Sequence, residues 1–211
     1  MAKGGGKGER AMRIGIGLAA AMLLWCGTGP RAAPAADDFW SGAAKPAPTK
    51  LEPPVLPARP TLADLDAFER ATAELWLRLP FGARRNLLVS RKAEAFGDYE
   101  ARPSSVFKPG EALITYVEPV GYGWVPVGTD LHRLGVTVDF EITTPAGKVL
   151  GGQNGFLDYG LTSHARVREL FINLTLTLDG IAEGDYVLVF TLHDKASGRS
   201  ARVPQPFTIK G

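Results

Sequence analysis

The spacing of apolar residues changes near residue 80 and divides the chain into two kinds of predicted structure. Before that point a mostly apolar stripe recurs every three or four residues, at Leu62, Leu65, Phe68, Thr72, Leu75, Trp76 and Leu79. This spacing predicts an amphipathic helix over residues 61–80, because positions three and four apart share one face of a helix. Thr61 and Asp64 resemble a capping box at its start, and Pro80 and Gly82 end it.

Beyond Leu87 apolar and polar residues alternate, which is the pattern of strands. The alternation predicts strands over 86–91, 111–118, 134–143, 148–152, 167–178, 185–194 and 200–209. One apolar and one polar face is typical of antiparallel sheets that pack on one side. "TPAG" (144–147) suits a type I turn, and "GGQNG" (151–155) is also interpreted as a turn. Residues 81–211 are therefore predicted to form an all-β sandwich.

The segment "LTLDGIAEGDYVLVFTLHDKASGRSARVPQPFTI" (176–209) resembles the last two strands of bacterial immunoglobulin-like and fibronectin type III-like domains. "VFKPGEAL" (106–113) is similar to the entry of an early strand in the same folds. The resemblance covers about residues 105–211, extends to exported bacterial proteins, and implies an immunoglobulin-like antiparallel β-sandwich but no particular activity. It also implies that Tyr186 is a corner tyrosine whose hydroxyl bonds to the backbone near the preceding turn.

Residues 1–36 have the pattern of a secretory signal peptide. A positively charged start precedes an apolar run from Ile14 to Gly29, and small residues then suit cleavage after Ala36. The apolar run is shorter than the stretch of about 20 residues that crosses a membrane. Two alternatives remain open: an uncleaved anchor, and lipid attachment at Cys26, the single cysteine of the chain.

Residues 37–60 form a leader with six prolines between Ser41 and Pro60. Such a segment does not hold a helix, and we interpret it as a disordered leader or an extended tether. Residues 1–36 carry five of the 24 Lys and Arg residues and one of the 22 Asp and Glu residues, so their removal changes the net charge from +2 to −2. The mature chain is therefore predicted not to bind nucleic acid, and membrane contact is expected only through the signal segment.

Few residues are of the types that carry metal or nucleophilic chemistry. The three histidines, His132, His164 and His193, show no local spacing of metal ligands, so we predict no metal site and no other cofactor. Ser163 and His164 are adjacent, but adjacent residues of a strand point to opposite faces, which argues against a catalytic pair.

Asp139 and Glu141 share one face of a predicted strand and are about 7 Å apart by the rise of a strand. The paired carboxylates of glycosidases have separations in this range. These two residues therefore define an alternative function, that of a carbohydrate-active or other envelope enzyme.

The stretch "YVEPVGYGWVPVGTD" (116–130) concentrates aromatic rings, prolines and glycines in a predicted loop. Tyr122 and Trp124 lie between glycines at one end of the predicted sandwich, where immunoglobulin-like scaffolds bind partners. The two rings are candidate binding residues that could stack on a sugar or contact a protein. In the alternative interpretation, Trp124 folds back over the core as a lid.

The predicted function is an exported, non-catalytic binding or assembly module of the bacterial envelope, periplasmic or secreted. Its expected partner is an envelope protein or a glycan. Two alternatives remain open, namely the enzyme that uses Asp139 and Glu141 and a structural spacer without a discrete site.

Overall fold

In the computed structural model, which describes residues 13–15 and 55–211, the chain forms one helix and ten strands. They are β1 (Arg13–Gly15), α1 (Leu62–Arg78), β2 (Gly82–Leu88), β3 (Val106–Phe107), β4 (Ala112–Val120), β5 (Val125–Gly128), β6 (Leu131–Thr143), β7 (Val149–Ser163), β8 (Ile172–Asp179), β9 (Gly184–Asp194) and β10 (Ser200–Ile209). The described residues divide into two units: residues 55–66 belong to the unit of residues 18–66, and residues 13–15 with 67–211 belong to a second unit that holds these strands. Most of the predicted signal peptide (1–36) and leader (37–60) lies outside the described residues.

The strands form two sheets. The small sheet has the order β1-β8-β4-β2, and the large sheet has the order β3-β10-β9-β6-β5. The strand β7 also pairs with β6, on the edge opposite to β9. The described pairs are antiparallel except those of the short strands β1 and β3. The core between the sheets contains alternate residues of both, among them Leu113, Val138, Phe140, Leu176 and Phe190. The predicted immunoglobulin-like antiparallel β-sandwich, all-β with one preceding amphipathic helix, is confirmed.

In the unit of residues 18–66, α1 begins with the predicted capping box. The Thr61 backbone N–H donates to Asp64 Oδ2 at 2.8 Å, and the Asp64 N–H donates to Thr61 Oγ1 at 3.3 Å. These bonds supply partners for backbone donors that a helix start leaves unpaired. The bonds from the Thr61 hydroxyl and N–H also hold the pKa of Asp64 below its usual value.

In the second unit, α1 packs on the sandwich through its last turn. Trp76 is the buried residue of the helix, and Leu79 after it is partly buried against the same core. Leu75 and Leu77, on either side of Trp76, are exposed. Within this unit the predicted stripe therefore packs on the sandwich at Trp76 and Leu79, whereas Leu75 lies in solvent.

The predicted strands agree with the structure most closely at the C-terminal end. The strand predicted over 200–209 is β10, and that predicted over 185–194 is β9 with one residue added. The prediction is wrong at the start of β8, which begins at Ile172. The short strands β3 and β5 were not predicted, since two and four residues are too few to show a period.

The turn predicted at residues 151–155 is wrong, because β7 continues through this segment to Ser163. Gly155 has a φ of 62°, and its N–H donates to Asp139 Oδ1 at 2.6 Å. The pairing of β7 with β6 shifts register beside Asp139, so these features mark a bulge. A glycine-rich segment that suggests a turn is thus held in the sheet by its neighbouring strand.

The corner tyrosine implied by the resemblance is confirmed. The Tyr186 hydroxyl donates to the Ala182 carbonyl oxygen at 2.8 Å, four residues upstream. Its ring stacks on Phe207 with 5.6 Å between centroids. The bond links the start of β9 to the turn that precedes this strand.

Candidate functional site

An aromatic cluster of Trp76, Tyr122 and Trp124 packs where the end of α1 meets the loop between β4 and β5. The Tyr122 ring is edge-on to Trp76 with 5.1 Å between centroids, and Trp124 lies 5.7 Å from Tyr122 and 6.1 Å from Trp76. Gly121 starts this loop with a φ of 71°, and a Cβ there would lie 2.6 Å from the Pro80 carbonyl oxygen. Glycine is therefore required for the loop to approach the helix end this closely.

The polar atoms of all three rings are bonded to the backbone. Trp76 Nε1–H donates to the Tyr122 carbonyl oxygen at 2.9 Å. The Tyr122 hydroxyl and Trp124 Nε1–H both donate to the Val167 carbonyl oxygen, at 3.1 and 3.2 Å. Burial raises the pKa of Tyr122 far above its usual value, so its hydroxyl stays protonated and remains a donor. These bonds fix the orientation of the aromatic cluster.

The two candidate binding residues differ in exposure. Tyr122 is completely buried, so its ring has no free face for a ligand in this conformation. Trp124 is partly buried and packs against the core. This placement favours the interpretation of the loop as a lid. A binding role for Tyr122 and Trp124 stays a prediction, and of the two rings Trp124 has the surface for direct contact.

Exposed aliphatic side chains neighbour the residues of the aromatic cluster in sequence on two elements. Leu75 and Leu77 flank the buried tryptophan of α1 and are 60% and 47% exposed. Val125 and Val127 lie in β5, directly after the loop, and are 43% and 40% exposed. We call these four residues the apolar rim. Trp76 in α1 is buried and Trp124, directly before β5, is partly buried against the same core, so both elements are packed on the sandwich.

A buried network ties the aromatic cluster to the β9–β10 hairpin. Asp194 is 1% exposed, and its carboxylate accepts the N–H groups of Gly123 at 2.9 Å and Ala196 at 3.0 Å. Arg199 lies 3.9 Å from this carboxylate. Its guanidinium donates to the Leu79 carbonyl oxygen at 3.0 Å and to the Gly121 carbonyl oxygen of the loop. This Asp194–Arg199 network joins the helix end, the loop and the hairpin.

A second cluster lies on the outer face of the large sheet. His193 Nε2 is 2.7 Å from Asp139 Oδ2, and His193 Nδ1 is 2.7 Å from Ser200 Oγ. The three residues come from the adjacent strands β6, β9 and β10. Burial raises the pKa of Asp139, but hydrogen bonds from Gly155 and His193 outweigh it, so the pKa is lower than usual.

The order of these bonds is that of a Ser-His-Asp triad. In the tautomer that carries its proton on Nε2, His193 donates to the Asp139 carboxylate, and its Nδ1 accepts the proton of the Ser200 hydroxyl. Sequence reasoning missed this Asp139–His193–Ser200 chain because only the hairpin register brings Ser200 opposite His193. Glu141 is not part of it, since its carboxylate lies 3.4 Å from Arg202.

The other two histidines lie elsewhere. His164 Nδ1 bonds to the Asp130 carbonyl oxygen at 2.7 Å, and His132 lies at the start of β6, paired with Ser163. Among the described residues, no three His, Cys, Asp or Glu side chains are grouped to hold a metal ion.

Within the described part of the chain, no helix combines the length and the apolar character needed to cross a membrane.

An open groove of about 310 Å³ lies where β2 faces β10. Asn86 Nδ2 donates across it to the Pro204 carbonyl oxygen at 3.2 Å. Beneath it, the buried Thr115 hydroxyl donates to Gln205 Oε1 at 2.8 Å. Both bonds link the two sheets, so these polar side chains stabilise the open side of the sandwich.

Comparisons with known proteins identify no family: no family model and no curated protein matches the chain. One similar solved structure is the alkylpurine DNA glycosylase AlkC of Pseudomonas fluorescens bound to DNA with an abasic-site analogue, at 13% identity and a TM-score of 0.31 over 70% of this chain. The match spans 37% of the glycosylase chain. Another is the sulfur carrier protein SoxY of Chlorobium limicola f thiosulfatophilum, at 14% identity and a TM-score of 0.23, over 70% of this chain and 99% of SoxY. Similarity this distant carries no argument about function.

Proposed function

We propose that the protein is an exported, non-catalytic binding or assembly module of the bacterial envelope, and that the apolar rim contacts its partner, an envelope protein. The observation that carries the proposal is the exposure of four aliphatic side chains that neighbour, in sequence, the residues of a packed aromatic cluster. The signal-peptide pattern of residues 1–36 supports export to the periplasm or beyond.

The chemistry of the surface favours a protein over a glycan. Sugars are held mainly by the open faces of aromatic rings, and here Tyr122 is buried and Trp124 only partly accessible. Aliphatic side chains around a fixed aromatic anchor suit the apolar centre of a protein interface. Because buried bonds already fix the anchor, little side-chain ordering opposes association.

Quantitative affinity capture from envelope extract tests the apolar rim. We expect the double variant Val125→Ser/Val127→Ser to lose about tenfold or more of the captured partner, as loss of central apolar contacts does. The matched control is Val149→Ser/Leu150→Ser, because these side chains are 54% and 37% exposed. Val125 and Val149 pair with residues ten apart in β6, which separates them by about 30 Å.

The control double variant should capture as much partner as the wild type, and both variants should melt at similar temperatures. Equal capture by the rim variant and the wild type would show that the apolar rim is not the contact surface. An equal loss in both variants would indicate non-specific adhesion and would also contradict the proposal.

The Asp139–His193–Ser200 chain favours a second candidate function, an envelope hydrolase that uses Asp139. Ser200 Oγ would attack the acyl carbon of an ester while its proton passes to His193 Nδ1 and then to the leaving alcohol. Water would then release the acyl group by the reverse proton transfers. This candidate is second because His193 and Asp139 lie on an open face, with 36% and 25% of their side chains exposed, and the site does not exclude water.

A fluorophosphonate probe tests the hydrolase. If the chain activates Ser200, the wild type is labelled at this residue, Ser200→Ala is not labelled, and Asp139→Asn is labelled more slowly because the imidazole loses its fixed tautomer. The matched control is Ser163→Ala, which removes a serine at the end of β7, a strand that pairs with β6. This variant should leave labelling unchanged. Absence of wild-type labelling at Ser200 would eliminate this candidate and leave the binding proposal intact.

A further inference from the structure

Edge strands of a sandwich expose backbone N–H and C=O groups that can pair with another strand. The free edge of β10 is obstructed by two prolines. The Pro204 carbonyl accepts a bond from Asn86 and therefore points away from β9. Since alternate residues of a strand face the same edge, Pro204 and Pro206 both place nitrogens without hydrogen there.

Two further edges are covered or irregular. The end of β2 is covered, because the Arg102 N–H donates to the Leu88 carbonyl oxygen at 2.8 Å and Val89 bridges to Ala101. β7 contains four glycines, and its pairing with β6 shifts register in two places. Bulges and glycines twist an edge away from flat pairing.

The edge of β8 is regular by comparison. The strand contains no proline and no glycine, and its first charged residue is Asp179 at the end. Its pairing with β4 runs from Ile172 to Thr177 without a register shift. The inward side chains of β8 are buried, among them Leu174 and Leu176, so core packing holds the strand in its place in the small sheet.

The structure shows a strand on this edge. β1 pairs with β8 in parallel, with Arg13 opposite Thr177 and Gly15 opposite Asp179. These residues of β1 belong to the predicted signal peptide. Cleavage after Ala36 would remove them and leave the edge of β8 open.

We propose that the edge of β8 in the processed protein binds an extended segment of a partner protein, aligned parallel to β8. The segment adds a strand to the small sheet, and its affinity comes from main-chain hydrogen bonds. The parallel pairing of β1 shows this alignment at the end of the edge, from Thr177 to Asp179. This binding site lies apart from the apolar rim and does not depend on it.

A heterologous segment fits the edge better than a second copy of the chain. Two identical edges related by a closed two-fold axis pair antiparallel, whereas the strand that occupies the edge is parallel. The protein's own leader is also unsuitable, since six prolines between Ser41 and Pro60 cannot supply a continuous ladder.

Amide hydrogen exchange followed by NMR tests the proposal on the chain from Asp37 to Gly211. This part contains the whole described core, which lies between Trp76 and Ile209. The probe is a synthetic peptide of residues 11–18, "AMRIGIGL", and the control peptide carries Ile14→Pro. We expect the probe to slow exchange of alternate β8 amides by about tenfold or more, because paired amides exchange only on opening.

The control peptide lacks the N–H of its central residue and should give no protection. Unchanged exchange in β8 at saturating probe would overturn the proposal, as would protection confined to β7. Protection without peptide that rises with protein concentration would also overturn it, since it would identify a second copy as the occupant. None of these outcomes changes the result expected for the apolar rim.

Discussion

Replacing Trp76 with alanine is expected to lower the free energy of unfolding by about 3–5 kcal/mol, the usual cost of deleting a buried tryptophan side chain. Trp76 is 4% exposed and packs against both other rings of the aromatic cluster. The substitution also removes the donor to the Tyr122 carbonyl oxygen. Urea denaturation measures the loss, provided that the slope of the unfolding free energy against urea concentration is the same in the variant and the wild type.

Leu75→Ala is the matched control, because it shortens a neighbouring side chain of the same helix that is 60% exposed. We expect it to change the free energy of unfolding by no more than about 0.5 kcal/mol. If Trp76→Ala were as stable as Leu75→Ala, the aromatic cluster would not be what holds α1 on the sandwich.

Replacing Asp194 with alanine is expected to cost about 3–5 kcal/mol, the range for removing one partner of a buried charged network. The change leaves the N–H groups of Gly123 and Ala196 without their acceptor in a buried site. It also removes the carboxylate beside Arg199. Because the network joins three elements, the loop should loosen together with the hairpin, which urea denaturation and near-ultraviolet circular dichroism can detect.

Asp158→Ala is the control for Asp194→Ala. Asp158 pairs with Lys195 at 2.6 Å, but its side chain is 65% exposed. Exposed ion pairs contribute about 0–1 kcal/mol, so little loss is expected. The free energy of unfolding of Asp194→Asn should lie between those of Asp194→Ala and Asp158→Ala, since an amide keeps one acceptor oxygen. Similar stabilities for Asp194→Ala and Asp158→Ala would contradict the structural role of the network.

The parts of the fold that were predicted correctly are those with one buried face. In β9 and β10 every second residue packs into the core, so burial imposes a period of two on the sequence. The helix boundaries were predicted from the capping residues Thr61 and Asp64 and from Pro80, which act within a few residues of chain. Local chemistry and burial are both visible in the sequence.

Features that depend on contacts between distant segments were not predicted. The segment 89–101 packs over the outer face of the small sheet, where the Gly97 N–H donates to the Tyr116 hydroxyl at 2.8 Å. The strand predicted over 86–91 ends at Leu88, and the segment beyond residue 91 has no periodicity that would indicate the packing. The Asp139–His193–Ser200 chain likewise depends on the register of three strands. For the aromatic loop, the composition located a candidate site but not which ring would be buried.

The attachment of α1 through one buried residue has a consequence for motion. Detaching the part of the helix after residue 67 breaks the contacts of Trp76 but leaves the sheets paired, so it requires less free energy than global unfolding. A small fraction of native molecules therefore has this segment released at any moment. Proteases act on such open states, so the first cleavages under limited proteolysis should fall in α1 while the sandwich remains intact.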